Sequence, residues 1–478
     1  MVVSPTNLIV ILSDEHNRDI AGCYGDPIAK TPNLDRLAAE GVLFRNAYTN
    51  SPVCVPARAS FATGLYPHQM RAWDSVTPHD GTVKGWGAQL IDAGHEVVSI
   101  GKLHFRSSED PNGFSEEIIP MHVVNGVGWL SSLLRDPPTQ LAATDDMAGS
   151  IGAGETKYTK YDRDVTTRAC SWLRNAAARN PEKPWVLYLG LVAPHFPLIA
   201  PEPFYHLYDD VDIPPPRQYA EDERPRHPVI EALRYASNFD DYFTPEKVKI
   251  ARQGYYGLCS FLDDNIGKVL ATLEESGLVD TTRVIYSTDH GDNMGNRGLW
   301  GKSVMYEDSV AVPMIVRGPG LPAGETVDTP VSLVDLHPTI LDFVGHPQPD
   351  NGADLPGLSL TKIIETPDPD RAVFSEYHDW SSVTGMFMLR KGDWKLVRYA
   401  GYPSQLFNLK DDPEERVDLA DNADCATVLA EMDATLADIA DIEDLNRQAF
   451  ADQAKKIARY GGREAILNIP EQGFTPPP

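Results

Sequence analysis

Five short apolar runs constrain the fold most: residues 7–12 (NLIVIL), 95–100 (HEVVSI), 184–191 (PWVLYLGL), 283–288 (RVIYST) and 312–316 (VPMIV). Each is short for a helix and too continuously apolar for a strand with one wet side. Each therefore predicts a strand buried on both faces. Helically spaced segments lie between them, at 32–41, 82–93, 165–178 and 245–276. That alternation predicts an α/β architecture, a large and mostly parallel sheet sandwiched by helices. Ligands of such sheets bind beyond the carboxyl ends of the strands.

The pattern shifts near 350–370, where PQPDNGADLPG and TPDPD read as turn and linker. After it VFSEY, GMFMLRKG, WKLVRYAG and QLFNL are short strands split by Gly and Asp. They predict a smaller C-terminal α+β unit, a short antiparallel sheet followed by a helix around 423–442. The expected division is a catalytic α/β domain over 1–365, this subdomain over 366–442, and a polar tail over 443–478 that contacts another subunit.

The bulk numbers remove several classes of function. A net charge of −27 and a pI near 4.8 leave no basic stripe for nucleic acid or an anionic membrane. An anionic ligand would need positive charge supplied locally. The five cysteines are scattered, with no CxxC pair, so a disulfide framework is not expected and a reducing compartment is. The apolar run at 8–12 is too short for a signal core, and no stretch reaches the ~20 apolar residues of a membrane span. A cytoplasmic protein is the expectation.

Chemistry gathers at the strand ends. Asp14 follows the first run, and Asp289 and His290 follow the fourth. Oxygen ligands with one imidazole suit a hard divalent cation such as Ca²⁺, Mg²⁺ or Mn²⁺. An aspartate after a strand often only caps a helix, but two such ends, one with an adjacent histidine, favour a site. Lys102 and His104 follow the second run, His195 follows the third between two prolines, and Lys302 lies in the loop after Asp289. Lone lysines and histidines are mostly solvated surface residues. Four of them at strand ends in so acidic a chain supply the local charge an oxyanion demands.

The stretch SPVCVPARASFATG (51–64) sets Cys54, Pro56 and Arg58 ahead of a small-residue helical run. Together with NLIVILSDE, GKLHF, STDHGDNMGNRGLWGK and WKL…QLFNLKDDPEE it resembles the sulfatase family of the alkaline phosphatase superfamily, over most of the chain. SPVCVPARASF, GKLHF, HGDNMGNRGLW and SEY are similar to the choline sulfatase branch and its arylsulfatase and phosphonate monoester hydrolase relatives. The resemblance implies that a maturation enzyme oxidises Cys54 to formylglycine, and that Asp14, Asp289, His290 and the modified residue hold one divalent metal, Ca²⁺ first and Mn²⁺ or Mg²⁺ as alternatives. Many sulfatases carry a second acidic residue after the first strand, and here that position is Glu15.

The same resemblance implies that Arg58 bonds the formylglycine, that Lys102 and His104 surround its hydroxyls, and that His195 and Lys302 face the departing ester oxygen. One hydroxyl of the hydrated aldehyde would attack the sulfur of a sulfate monoester, and the other would later expel sulfate. Trp129 and Glu376 match positions where the choline branch recognises a quaternary ammonium. Two features depart from that branch: its Asp-Asn reads Asp74-Ser75, and the tail, which in that branch completes a neighbour's site, ends GREAILNIPEQGFTPPP. A homo-oligomer, dimer or tetramer, is implied.

Three other readings compete. A phosphonate monoester or phosphodiester hydrolase of the same superfamily would share nearly every residue named. A cysteine-thiolate phosphatase would place its arginine in a C-x₅-R loop, whereas Cys54 and Arg58 are closer and a proline intervenes. The third is an anion binder whose Cys54 is never converted.

Overall fold

The computed structural model describes residues 4–140, 144–179, 182–346, 355–469 and 475–478, so the expected linker at 350–370 and the end of the tail lie partly outside the described residues. Strands β1 (Asn7–Asp14), β2 (Val42–Phe44), β3 (Val97–Lys102), β4 (Glu116–Met121), β5 (Val186–Pro194), β6 (Thr282–Thr288), β7 (Met314–Arg317) and β8 (Glu325–Val327) form one sheet in the order β8-β2-β7-β6-β1-β5-β3-β4. The centre, β6-β1-β5-β3, is wholly parallel. The fifth apolar run, β7, is buried as expected but runs antiparallel to both neighbours.

Period-two alternation explains why the runs are apolar throughout. On one face Leu8, Val10 and Leu12 pack with Ala57 and Phe61 of helix α1 (Cys54–Thr63). On the other, Ile9 and Ile11 meet Val165 and Leu173 of α2 (Lys157–Ala177) and Phe261 and Ile266 of α3 (Pro245–Glu275). Fully burying such side chains is worth about 2 kcal/mol each, so neither face tolerates a polar substitution. Among the described residues no helix is long and apolar enough to cross a membrane.

The second sheet is an antiparallel meander of β9 (Val373–Tyr377), β10 (Met386–Lys391), β11 (Trp394–Tyr399) and β12 (Tyr402–Asn408). Helix α4 (Ala426–Ile439) follows it. The segment read as a polar tail then forms helix α5 (Ile442–Arg459), which buries Leu445, Ala449 and Gln453. That narrow stripe at a spacing of four is easily lost in a polar composition, but it packs on the second sheet.

The two sheets are fastened near the amino end of α1. The Glu376 N–H donates to the Asn50 carbonyl at 3.0 Å, and Asn50 Nδ2 donates to the Phe374 carbonyl at 2.9 Å. Farther along, Lys395 of β11 donates to Glu307 at 2.9 Å and to Glu415 at 2.7 Å, all three side chains being buried.

Candidate active site

Helix α1 delivers Cys54 at its first residue. Val53 enters in extended backbone, and Pro56 sits in the first turn, where its missing N–H costs nothing. Gly64 closes the helix at φ 74°, and a Cβ there would come within 2.8 Å of the His337 ring. All ten residues of α1 are buried.

The parallel strands bring their carboxyl ends to the same place. Asp14 ends β1, Lys102 ends β3, His195 follows β5, and Asp289 and His290 follow β6. Cys54 Sγ lies 3.6 Å from Asp14 Oδ1 and 3.2 Å from His290 Nε2. Lys102 Nζ pairs with Asp14 Oδ2 at 2.6 Å. Lys302 Nζ is 2.9 Å from His195 Nε2 and 3.0 Å from Glu15 Oε2. His195 Nδ1 donates to the Phe196 carbonyl at 2.8 Å, which turns Nε2 towards Lys302. Both ring nitrogens of His104 are buried without a hydrogen-bond partner.

Arg58 lies behind the two aspartates. Its guanidinium donates to Asp289 Oδ2 at 2.8 Å, Asp14 Oδ2 at 3.0 Å, the Ser13 and Lys102 carbonyls and Tyr188 Oη. Those five contacts use all five of its N–H groups, so beside the unmodified cysteine Arg58 is spent on the two carboxylates and their neighbours. Gly190 of β5 makes this possible, because a Cβ there would fall 2.0 Å from the Lys102 carbonyl oxygen that Arg58 and Tyr188 share.

Burial works against the charge on Asp14, yet Lys102, His195 and Arg58 hold its carboxyl well below the usual range. Burial and then Asp14 push the Cys54 thiol far up. Burial, with Lys102 for His104 and Lys302 for His195, drives both imidazoles well below their ordinary value. Burial opposes the charge on Lys302, but Cys54, Glu15 and Asp14 around it raise its pKa.

Asp14, Cys54, Asp289 and His290 are all buried, and one ligand atom from each lies within 4.8 Å of the others. His290 Nδ1 donates to the Gly291 carbonyl at 3.1 Å, so Nε2 keeps its lone pair towards the cluster. Two carboxylates and an outward-held imidazole lone pair fit a divalent cation.

A cavity of about 240 Å³ opens over the cluster. Cys54, Lys102, His104, His195 and Lys302 form its charged end, and Trp129 lies on its wall, 5.7 Å from the ring of Trp380. Glu376 does not line it. The Glu376 carboxylate accepts from the His68 N–H at 2.9 Å and sits 2.8 Å from His68 Nδ1 and 3.0 Å from His378 Nε2. The expectation of a ligand-facing Glu376 is therefore corrected: alternation along β9 turns it away, while Tyr377 and Asp379 line the cavity.

Asp379 accepts from the Ser75 N–H at 2.9 Å, and burial beside Asp74 lifts its pKa to about 6. Sequence reasoning missed Asp379 and Trp380, although both follow a strand end. It also missed Asp162 of α2, which accepts the Val192 and Ala193 N–H groups at 2.8 Å and sets the path into His195.

The profile of the family described as "Sulfatase" matches residues 6–346, and that of "N-sulphoglucosamine sulphohydrolase, C-terminal" matches 295–441. The chain is 30% identical over 480 residues to the choline-sulfatase of Rhizobium meliloti (strain 1021), covering 98% of this chain and 93% of that one. It is 31% identical to arylsulfatase K of Homo sapiens, over 87% of this chain and 78% of that one. Its fold is similar to that of the phosphonate monoester hydrolase of Agrobacterium radiobacter, with a TM-score of 0.72 and 25% identity over 93% of this chain and 96% of that one.

Proposed function

The chain belongs to the sulfatase family, and from that premise we propose that it hydrolyses a sulfate monoester at residue 54, matured from cysteine to formylglycine. The observation that carries this reading is the buried cluster of Asp14, Cys54, Asp289 and His290, ringed by two lysines and two histidines. These four residues would hold one divalent cation. When bound, the cation and the hydrated aldehyde supply an acidified hydroxyl nucleophile and an electrostatic clamp on the sulfuryl oxygens.

The side chains divide the remaining work. Arg58 balances the Asp14 and Asp289 charges and keeps both carboxylates from turning away. Lys102 and Lys302 present ammonium groups to charge that grows on the equatorial oxygens. Lys302 and His195 share a proton at Nζ and Nε2, within reach of the departing alcohol. His104, with two unpartnered nitrogens, is placed to take the proton of the second hydroxyl.

The alcohol half would lie against Trp129 and Trp380, beside Asp379. An aryl or alkyl group suits that wall, and so does a quaternary ammonium like that of choline, which similarity to a choline-sulfatase also favours. A second reading, phosphonate or phosphate diester hydrolysis, draws on the similarity to a phosphonate monoester hydrolase. The two ester classes share shape and charge.

Mass spectrometry of the Cys54 peptide from active protein tests the core of the proposal, with the aldehyde mass expected. Full activity with an unmodified thiol would refute it. Matched aryl sulfate, choline sulfate and phenyl phosphonate esters then rank the substrates, and a higher kcat/KM for the phosphonate would select the second reading.

A further inference from the structure

Glu15 is fully buried, yet its backbone sits at φ 69°, in the left-handed region that a residue with a Cβ rarely adopts. The surroundings impose this conformation. The Glu15 N–H donates to Asp289 Oδ1 at 3.2 Å, and Tyr255 Oη of α3 donates to the Glu15 carbonyl at 2.6 Å. Tyr255 Oη is itself held by the Asn17 N–H at 2.7 Å. Strain of this kind persists where a side chain must be aimed.

The aim is towards the leaving-group side. Glu15 Oε2 lies 3.0 Å from Lys302 Nζ and 3.3 Å from His195 Nε2, while Lys302 and His195 are 2.9 Å apart. Gly301, at φ 68°, leaves the room, since a Cβ there would stand 3.3 Å from Glu15 Oε1. Asp14, Glu15 and His195 also offer ligand atoms within 4.8 Å of one another, but the Lys302 ammonium already occupies the Glu15–His195 side. A cation there would meet a like charge at contact distance.

We propose that Glu15 is a positioning residue that binds Lys302 and His195 into one proton-donating unit, rather than completing the metal's ligand set. The inference rests on the sulfatase reading for its catalytic meaning, but the geometry it predicts does not depend on turnover. A carboxylate oxygen between the two cationic or proton-bearing atoms limits the rotamers of Lys302, whose stem is otherwise free to swing. It thereby keeps Nζ against Nε2 while substrate enters.

Glu15→Ala removes the acceptor, and Glu15→Gln restores an acceptor oxygen at the same reach. The alanine variant should keep the metal content of the wild type while losing about 100-fold in kcat on unactivated alkyl sulfates and under about 5-fold on nitrophenyl sulfate. Glu15→Gln should recover most of that loss. In the metal-free chain, the ¹⁵N resonances of His195 should shift in Glu15→Ala and return towards wild type in Glu15→Gln.

Loss of metal from Glu15→Ala, equal loss on both ester types, or failure of glutamine to rescue would overturn the proposal. Should the alanine variant not fold, Glu15→Ala with Lys302→Met removes the unpaired charge. Its rate on alkyl sulfates should equal that of Lys302→Met alone, and a further 100-fold drop would contradict a shared role. A wild type inactive on every sulfate ester would remove the functional reading alone, because the histidine spectra decide the positioning without turnover.

Discussion

Two of the buried charge clusters among the described residues are finished to different degrees. At the seam between the sheets, every carboxylate oxygen of Glu307, Asp308 and Glu415 accepts at least one hydrogen bond, from Lys395, Arg18, Arg217, Arg297, Tyr48, Asn17, Asn296 or a backbone N–H. At the strand ends, both nitrogens of His104 are buried without partners, and the buried carboxyls of Glu15 and Asp292 are set against each other. A buried polar atom left unsatisfied costs about 1–3 kcal/mol, so a fold carries several in one place only where something else is meant to meet them. Carboxylates met from within the fold mark the seam as structural, although Arg297 Nε there is left without a partner, and the open nitrogens of His104 mark the cavity as a place for chemistry.

The largest effect that separates the clusters is on turnover. Cys54→Ala should lower kcat more than about 10⁴-fold, since the nucleophile is gone, while moving the thermal midpoint by less than about 3 °C. A comparable loss of stability would mean that Cys54 is part of the core after all. Lys395→Ala should do the reverse. It strands two carboxylates out of water and should cost about 3–5 kcal/mol in denaturant unfolding; a loss under about 1 kcal/mol would break the comparison.

Glu376 sharpens it from a third position. Burial opposes its charge, but His68 and His378 hold its pKa at about 2, against an ordinary value of 4.5. A depressed carboxyl pKa adds stability above pH 4.5 that is lost as pH falls towards 2, by about 3 kcal/mol across that window. Glu376→Gln should flatten this acid limb without raising KM. A raised KM with the limb intact would return Glu376 to the substrate. The smallest effect is expected of His195→Ala, about 100-fold on esters with poor leaving groups and under about 10-fold on activated ones, read from the slope of log kcat against leaving-group pKa.

The centre of the fold was legible because β1, β3, β5 and β6 are apolar on both faces, which leaves a signal no other element imitates. The edges were not. β2 and β8 are three residues each, and β4 is half-exposed, so neighbours rather than their own sequence make them strands. The direction of β7 is set by its connection and carries no compositional mark.

In the site, Asp14, Lys102, His195, Asp289 and His290 could be read from their places at strand ends. Trp129 lines the cavity, whereas Glu376 is one residue out of phase with it, because which parity of β9 faces the cavity depends on how the second sheet docks. The roles of Arg58 and Glu15 depend on distances between strands far apart in sequence, and no local pattern encodes them.

The complete burial of α1 has a consequence for time rather than space. Cys54 is 6% exposed and opens only to the cavity. A small reagent can reach it there, but the active site of another protein cannot surround a helix packed on every side. An enzyme that converts residue 54 as proposed would have to act before this stretch packs into the fold. On the proposed reading, folding therefore closes a window: a molecule whose residue 54 is still a thiol when α1 docks would stay one, and the active fraction of a preparation would record the race between maturation and folding.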